Sequence, residues 1–161
     1  MIDDRVGLGI DFHRFAEGRP LVLGGVVVPS ERGLLGHSDA DVLIHAVCDA
    51  LLGAAGLGDI GVHYPDTDER FRGISSLTLL EDVMRKIGAA GYCLGNVDIT
   101  VIAERPKLAR HFTAMRGRLA PILGIAEDRV GLKATTSETM GALGRGEGMA
   151  AWAVCLIRKA G

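Results

Sequence analysis

The run MAAWAVCLI, residues 149–157, constrains the fold more than any other stretch. Side chains of a strand alternate between its two faces. A strand of nine consecutive uncharged, largely apolar residues is therefore apolar on both faces. The run is far too short to span a bilayer, so it belongs inside a sheet covered on both sides. Cover for one face is at hand in three helical segments. GHSDADVLIHAVCDALLGAAG carries apolar residues at helical spacing, with Ser38 or Asp39 as its cap. ISSLTLLEDVMRKIGAAGY presents Leu77, Leu80, Met84 and Ile87 on one side, and Gly91 ends it. Pro106 opens a third helix, with Leu108, Phe112, Met115, Leu119 and Ile122 spaced for burial. Nothing obvious covers the second face, which predicts contact with further copies of the chain in a closed homo-oligomer.

The remaining strands are RVGLGIDFHRF, a hairpin in PLVLGGVVVP around Gly24 and Gly25, NVDITVIAE and RVGLKATT. Strands and helices in this order predict an α+β fold: a single-domain, two-layer sandwich over residues 1–161, with helices on one face of a mixed sheet. GDIGVHYPDTDERFRG, rich in Gly, Pro and Asp, reads as a long loop. Aromatic residues make up only 4% against 23 glycines, so the core is aliphatic and the backbones approach closely. A net charge of −2 without a basic run argues against a nucleic-acid partner. The acidic start, MIDDRVG, has no signal-peptide pattern. Cys48, Cys93 and Cys155, an odd and scattered set among apolar neighbours, read as reduced, buried thiols of a cytoplasmic protein.

Chemistry concentrates at a few turns. In GIDFHRF, Asp11 and His13 point to one face of the strand, and Ile10 and Phe12 to the other. His45, on a helical face shared with Asp41 and Asp49, completes a carboxylate and two imidazoles if that helix packs on that strand. Such a set suits Zn²⁺ with one open position. The same residues also suit a hydrogen-bonded Asp41–His45 pair beside an exposed Asp11, and spacing alone favours that blander reading. His37 and Ser38, at a helix mouth, suit a phosphate or an ordinary cap. KATTSET offers hydroxyls for a diphosphate, and Glu138 a hard-cation ligand. Arg145 lies between glycines in GRGEG, which also reads as a plain turn. No P-loop and no helix-opening GxGxxG is present.

GIDFHRF, GLLGHSDADVLIHAVCDALLGAAGLGDIG, YPDTD, GYCLGNVDITVIAERPK, LKATTSE and GRGEGMAAWAV follow one another in order. Together they resemble the 2-C-methyl-D-erythritol 2,4-cyclodiphosphate synthase family of the non-mevalonate isoprenoid pathway, from end to end. The resemblance implies a lyase whose substrate is a cytidine diphosphate ester of methylerythritol carrying a 2-phosphate. That phosphate attacks the β-phosphorus, CMP leaves, and a cyclic diphosphate remains. It implies Zn²⁺ (or another divalent ion), one per subunit, on Asp11, His13 and His45, with Mg²⁺ or Mn²⁺ on the diphosphate near Glu138. His37 and Thr136 match residues that stabilise the transition state. Asp59, Ile60, Gly61 and the run Tyr64, Pro65, Asp66, Thr67 and Asp68 match the methylerythritol side, and Ser38 reads as a further substrate contact beside His37. Ala103, Glu104, Arg105, Pro106, Lys107, Leu108 and Ala109 match the cytosine side. Thr135, Thr136, Ser137 and Glu138 match the diphosphate contacts, and Arg145 lies near an axial cavity. The resemblance also implies a homotrimer with active sites between subunits. The chain departs from many relatives in having Ala142 and Leu143 where an aromatic precedes GRGEG. The loop over residues 61–73 is a candidate lid. Two rivals stand beside this reading: a metal-dependent phosphohydrolase with Asp41 as base, and a non-catalytic CDP-binding trimer.

Overall fold

The computed structural model describes residues 3–161. Residues 1 and 2, where the segment without a signal-peptide pattern begins, lie outside the described residues. In chain order the elements are β1 (Asp4–Ala16), the β2–β3 hairpin (Leu21–Leu23, Val26–Val28), β4 (Gly33–Leu34), α1 (Val42–Ala55) and α2 (Ile60–His63). Then come α3 (Ser76–Ala89), β5 (Tyr92–Ile102), α4 (Phe112–Leu123), β6 (Val130–Thr135), α5 (Gly141–Gly144) and β7 (Gly148–Lys159). Five strands form one mixed sheet in the order β4-β1-β7-β5-β6. Among the described residues only β5 and β6 pair in parallel; β1 and β5 flank β7 antiparallel. The helices cover one face, with α1 across β1 and β7, α3 beside α1, and α4 against α3 and β6. This is the expected α+β sandwich.

Small residues set how closely the two layers meet. A Cβ added at Gly7 or Gly9 would lie 1.8 Å or 1.9 Å from the carbonyl oxygen of Ala50 or Ala46 in α1. Opposite them in β7 stand Cys155 and Ala153, both buried. The backbone of β1 thus touches the backbone of α1. The other face of β1 and β7 carries Val6, Leu8, Ile10, Phe12, Trp152 and Val154. Within one chain it is open, with Val6 69% and Leu8 58% exposed. Trp152 meets Phe12 edge-on there, with ring centroids 5.4 Å apart.

Local readings needed correction where tertiary contacts decide. Helix α1 is capped by Asp41, not by Ser38 or Asp39. Asp41 accepts hydrogen bonds from the backbone N–H groups of Ile44, Gly24 and Gly25, which docks the hairpin turn onto the helix start. His45 consequently sits in the first turn of α1. The 58–73 segment is not all loop: Asp59 caps α2, and Glu69–Phe71 forms a 3₁₀ turn. Pro106 does not open α4, which begins at Phe112 after a 3₁₀ turn over Ala109–His111. Cys48 and Cys155 are buried and Cys93 is exposed; all three are free. The alternation of Tyr92–Ile102 puts Cys93 on the side away from the helices. No helix among the described residues is long and apolar enough to cross a membrane.

Candidate active site

Strand β1 and helix α1 bring three side chains to one point. Asp11 Oδ2 lies 2.9 Å from His13 Nε2 and 3.1 Å from His45 Nδ1, and the two nitrogens are 3.1 Å apart. The bland alternative of an Asp41–His45 pair is not realised, because Asp41 is fully buried and engaged with backbone N–H groups. That placement also denies the phosphohydrolase reading its base.

Outer hydrogen bonds determine which atoms face inward. His13 Nδ1 lies 2.7 Å from the Leu35 carbonyl oxygen, which can only accept. That nitrogen therefore carries the proton, and Nε2 offers a lone pair. His45 Nε2 lies 3.0 Å from Ser76 Oγ and 3.1 Å from Ser38 Oγ. Ser76 gives its own proton to Asp39, so its oxygen accepts from His45, and Nδ1 of His45 is left as a lone pair. A carboxylate oxygen and two imidazole lone pairs then converge with no proton between them. Three such acceptors repel one another unless a cation sits among them. A tetrahedral ion with bonds of about 2.0–2.1 Å holds its ligand atoms roughly 3.3 Å apart, close to the spacing seen. The residues fit a divalent ion, and their arrangement supports the metal reading of the sequence. Neither Ser76 nor the role of Asp39 was foreseen, since Ser76 lies at the start of a different helix.

Without an ion, a proton takes its place. Burial works to lower the His13 pKa, but the hydrogen bond and charge of Asp11 outweigh it and leave it above the ordinary value. Burial likewise works to raise Asp11, and the two imidazoles reverse this, holding its carboxyl well below the usual carboxylate range. His13 thus binds a proton more firmly than a free histidine does, and an incoming ion must displace it. Zn²⁺ affinity should therefore fall as pH drops from 8 to 6, by up to about tenfold per unit below that pKa. Competition against a chromophoric chelator at each pH, with proton release in weak buffer, checks this. An affinity flat across the range contradicts it.

The cluster opens into a pocket of about 430 Å³. His13, His37, Ser38 and His45 line it, together with Ile60, Gly61, Tyr64, Pro65 and Asp66. Sequence reading missed Gly36, Phe71, Ile74 and Leu79, which are also in its wall. Their apolar or featureless side chains carried no signal. Asp59 and Asp68 act differently: each caps a turn of the wall. Thr67 is not in the wall. Tyr64 donates to Asp82 of α3 at 2.5 Å and meets Phe71 edge-on, which ties the wall to the helix layer.

The second group of predicted residues lies elsewhere within one chain. Glu104, Arg105, Pro106, Lys107 and Ala109 line a separate cavity of about 870 Å³, shared with Arg145 and Arg32. Ala103 and Leu108 are buried and outside its lining. Glu104 accepts from Ser137 N and Oγ and from Thr139 N, and so shapes the 135–139 turn. Thr136 Oγ1 donates to Glu138, whose φ is +53°. Thr135, Thr136, Ser137 and Glu138 are in the wall of neither cavity.

Residues 4–158 match the family model described as the YgbB family. A protein of Burkholderia lata named 2-C-methyl-D-erythritol 2,4-cyclodiphosphate synthase is 56% identical over 160 residues, 99% of each chain. The solved bifunctional IspDF of Campylobacter jejuni superposes with a TM-score of 0.95 at 45% identity, covering 99% of this chain and 43% of that one. The CDP complex of Plasmodium falciparum IspF gives 0.86 at 31% identity, covering 98% and 97%.

Proposed function

The chain belongs to the YgbB family, and from that premise we infer that it is an enzyme with 2-C-methyl-D-erythritol 2,4-cyclodiphosphate synthase activity, a lyase of isoprenoid biosynthesis. It cyclises 4-diphosphocytidyl-2-C-methyl-D-erythritol 2-phosphate and releases CMP. The observation that carries this reading is the Asp11–His13–His45 cluster, whose two histidines line the 430 Å³ pocket, in a chain matched almost end to end.

The obstacle is charge: a phosphate must approach a diphosphate that is already negative. Such a reaction needs positioning and charge stabilisation more than a protein nucleophile. Asp11, His13 and His45 hold Zn²⁺ in our reading, and a bound divalent ion supplies positive charge and a coordination site for phosphate oxygen. Ser76 and Leu35 keep the two imidazoles in the required tautomers. Thr136, and His37 once its Nε2–H exchanges the Asp68 carbonyl oxygen for a phosphoryl oxygen, donate to charge developing on the transferred group, a role typically worth about 2.7–4 kcal/mol per donor. Ile60, Gly61 and Tyr64–Asp66 hold the methylerythritol part folded; orienting reactants in this way supplies up to about 7–11 kcal/mol. Glu138, with Mg²⁺ or Mn²⁺, balances the diphosphate, and residues 103–109 take the cytosine. The relative of Plasmodium falciparum, solved with CDP, supports a nucleotide ligand of this class.

Thr136 and Glu138 lie outside the wall of the pocket in their own chain. We propose a homotrimer in which the 135–138 turn of one copy completes the metal pocket of the next. The open apolar face of Val6, Leu8, Ile10 and Phe12 supports such an assembly. Leu8→Asp should give a folded monomer by light scattering and circular dichroism, with activity reduced roughly a hundredfold or more. A fully active monomer contradicts the shared site. Free thiols and the lack of a membrane-spanning helix among the described residues support a cytoplasmic location.

Phosphorus NMR of the products tests the reaction. A cyclic diphosphate formed one-for-one with CMP is expected. A linear phosphate ester points to hydrolysis, and no product points to a binding protein; either result contradicts the proposal.

A further inference from the structure

His37 is carried by a strap, Gly36–Ser38, that has no regular secondary structure and lies between β4 and α1. No helix or sheet ladder fixes its backbone, so other groups must. The His37 carbonyl oxygen accepts from Gly73 N at 2.8 Å, and its ring Nε2 lies 3.2 Å from the Asp68 carbonyl oxygen. The carbonyls on either side of it are both taken by one side chain. Arg19 donates from Nη1 to Gly36 O at 2.8 Å and from Nη2 to Ser38 O at 2.7 Å.

A guanidinium is a rigid planar fork. One of its N–H groups fixes the Gly36–His37 peptide plane and another the Ser38–Asp39 plane, while Gly73 N holds the His37–Ser38 plane between them, and together these set the direction of the His37 side chain. Arg19 makes no ion pair among the described residues, so no carboxylate competes for the fork. The backbone of Arg19 is itself wedged. A Cβ added at Gly33 would lie 2.5 Å from Arg19 O and 2.3 Å from Pro20 O, so this turn packs directly on the start of β4. The clamp is thus anchored in the sheet while it holds the strap.

We propose that Arg19 is a positioning residue for His37: by bridging the Gly36 and Ser38 carbonyls it holds the His37 ring at the pocket. The proposal rests on the reading of His37 as a donor to the reacting phosphoryl group. Arg19 touches no substrate in this account; its second carbonyl belongs to Ser38, whose Oγ reaches His45, and Zn²⁺ content read in every variant separates that path from the one through residue 37.

The test is a double-mutant cycle on the full-length, Zn²⁺-loaded protein. Arg19→Met should lower kcat by about ten- to a hundredfold, as expected of a misplaced catalytic group, with KM changed by less than about threefold. Zn²⁺ content should stay at the parent value. Arg19→Lys should recover only part of the loss, because a single ammonium is a point donor and cannot hold both peptide planes. In a His37→Ala background, Arg19→Met should cost nothing further. If Arg19→Met fails to fold, Arg19→Gln and Arg19→Lys are read in the same cycle. A kcat loss of full size persisting without the His37 ring overturns the proposal, as does an unchanged kcat in Arg19→Met. A His37→Ala variant as active as the parent removes the role of His37, and the proposal with it, but leaves the metal cluster standing. A parent protein that forms no cyclic diphosphate instead refutes the reaction itself.

Discussion

Replacing His45 by alanine should leave the protein without its tightly held divalent ion and lower cyclodiphosphate formation by about three orders of magnitude, or ~4 kcal/mol of lost transition-state stabilisation. His45 is the one ligand that reaches the cluster from α1; the other two come from β1. Its removal leaves one carboxylate and one imidazole, too few to close a three-ligand site. Asp11→Ala should behave alike. His63→Ala is the control: its ring donates to the Leu57 carbonyl oxygen at 2.8 Å and takes no part in the cluster. Elemental analysis of the purified variants, with the product assay run beside it, reads both effects. The unfolding temperature of His45→Ala should match that of the metal-free parent, which separates loss of the ion from loss of the fold. Equal metal in all three variants would contradict the ligand assignment.

The second large effect lies beneath the site. Gly9→Val should destabilise the fold by about 3 kcal/mol or more. A Cβ at residue 9 meets Ala46 O at 1.9 Å and Ala50 N at 2.6 Å, both backbone atoms of α1 that cannot rotate away. The helix must lift off the sheet, and His45, one residue before Ala46, moves with it. Metal affinity should therefore fall together with stability, although no ligand has been touched. Gly53→Ala supplies the contrast. Gly53 is also in α1, but an added Cβ meets nothing within 4 Å. That substitution should raise stability by about 0.4–1 kcal/mol and leave the ion in place. Urea denaturation curves of both variants, with and without Zn²⁺, measure the difference. A Gly9→Val variant as stable as the parent would mean that α1 and β1 are not in backbone contact.

What could be read from the sequence and what could not divides along a physical line. Alternation in GIDFHRF put Asp11 and His13 on one face and Ile10 and Phe12 on the other, because a strand's period is a local property. The doubly apolar β7 announced a face in need of cover for the same reason. The meeting of His45 with Asp11 was not local. It depends on α1 crossing β1 at the glycines, and spacing alone favours a plain Asp41–His45 pair instead. The capping residue was misread because Ser38, Asp39 and Asp41 are all good caps in isolation. The hairpin turn at Gly24 and Gly25 decides among them by offering its N–H groups to Asp41 alone. Pro106 misled because proline is at home in a first helical turn; a turn over 103–111 intervenes instead. Ser76, Asp39 and Arg19 act through contacts 31, 37 and 17–19 residues distant in the chain, where no periodicity points.

Zinc K-edge X-ray absorption on the loaded protein, before and after adding CDP with Mg²⁺, tests the central claim most directly. The account predicts one ion per chain with two imidazoles and oxygen ligands, nitrogen at about 2.0–2.1 Å and no sulfur, and a phosphorus shell that appears with the nucleotide. A sulfur ligand, fewer than two imidazoles, or an ion whose surroundings ignore the nucleotide would contradict it.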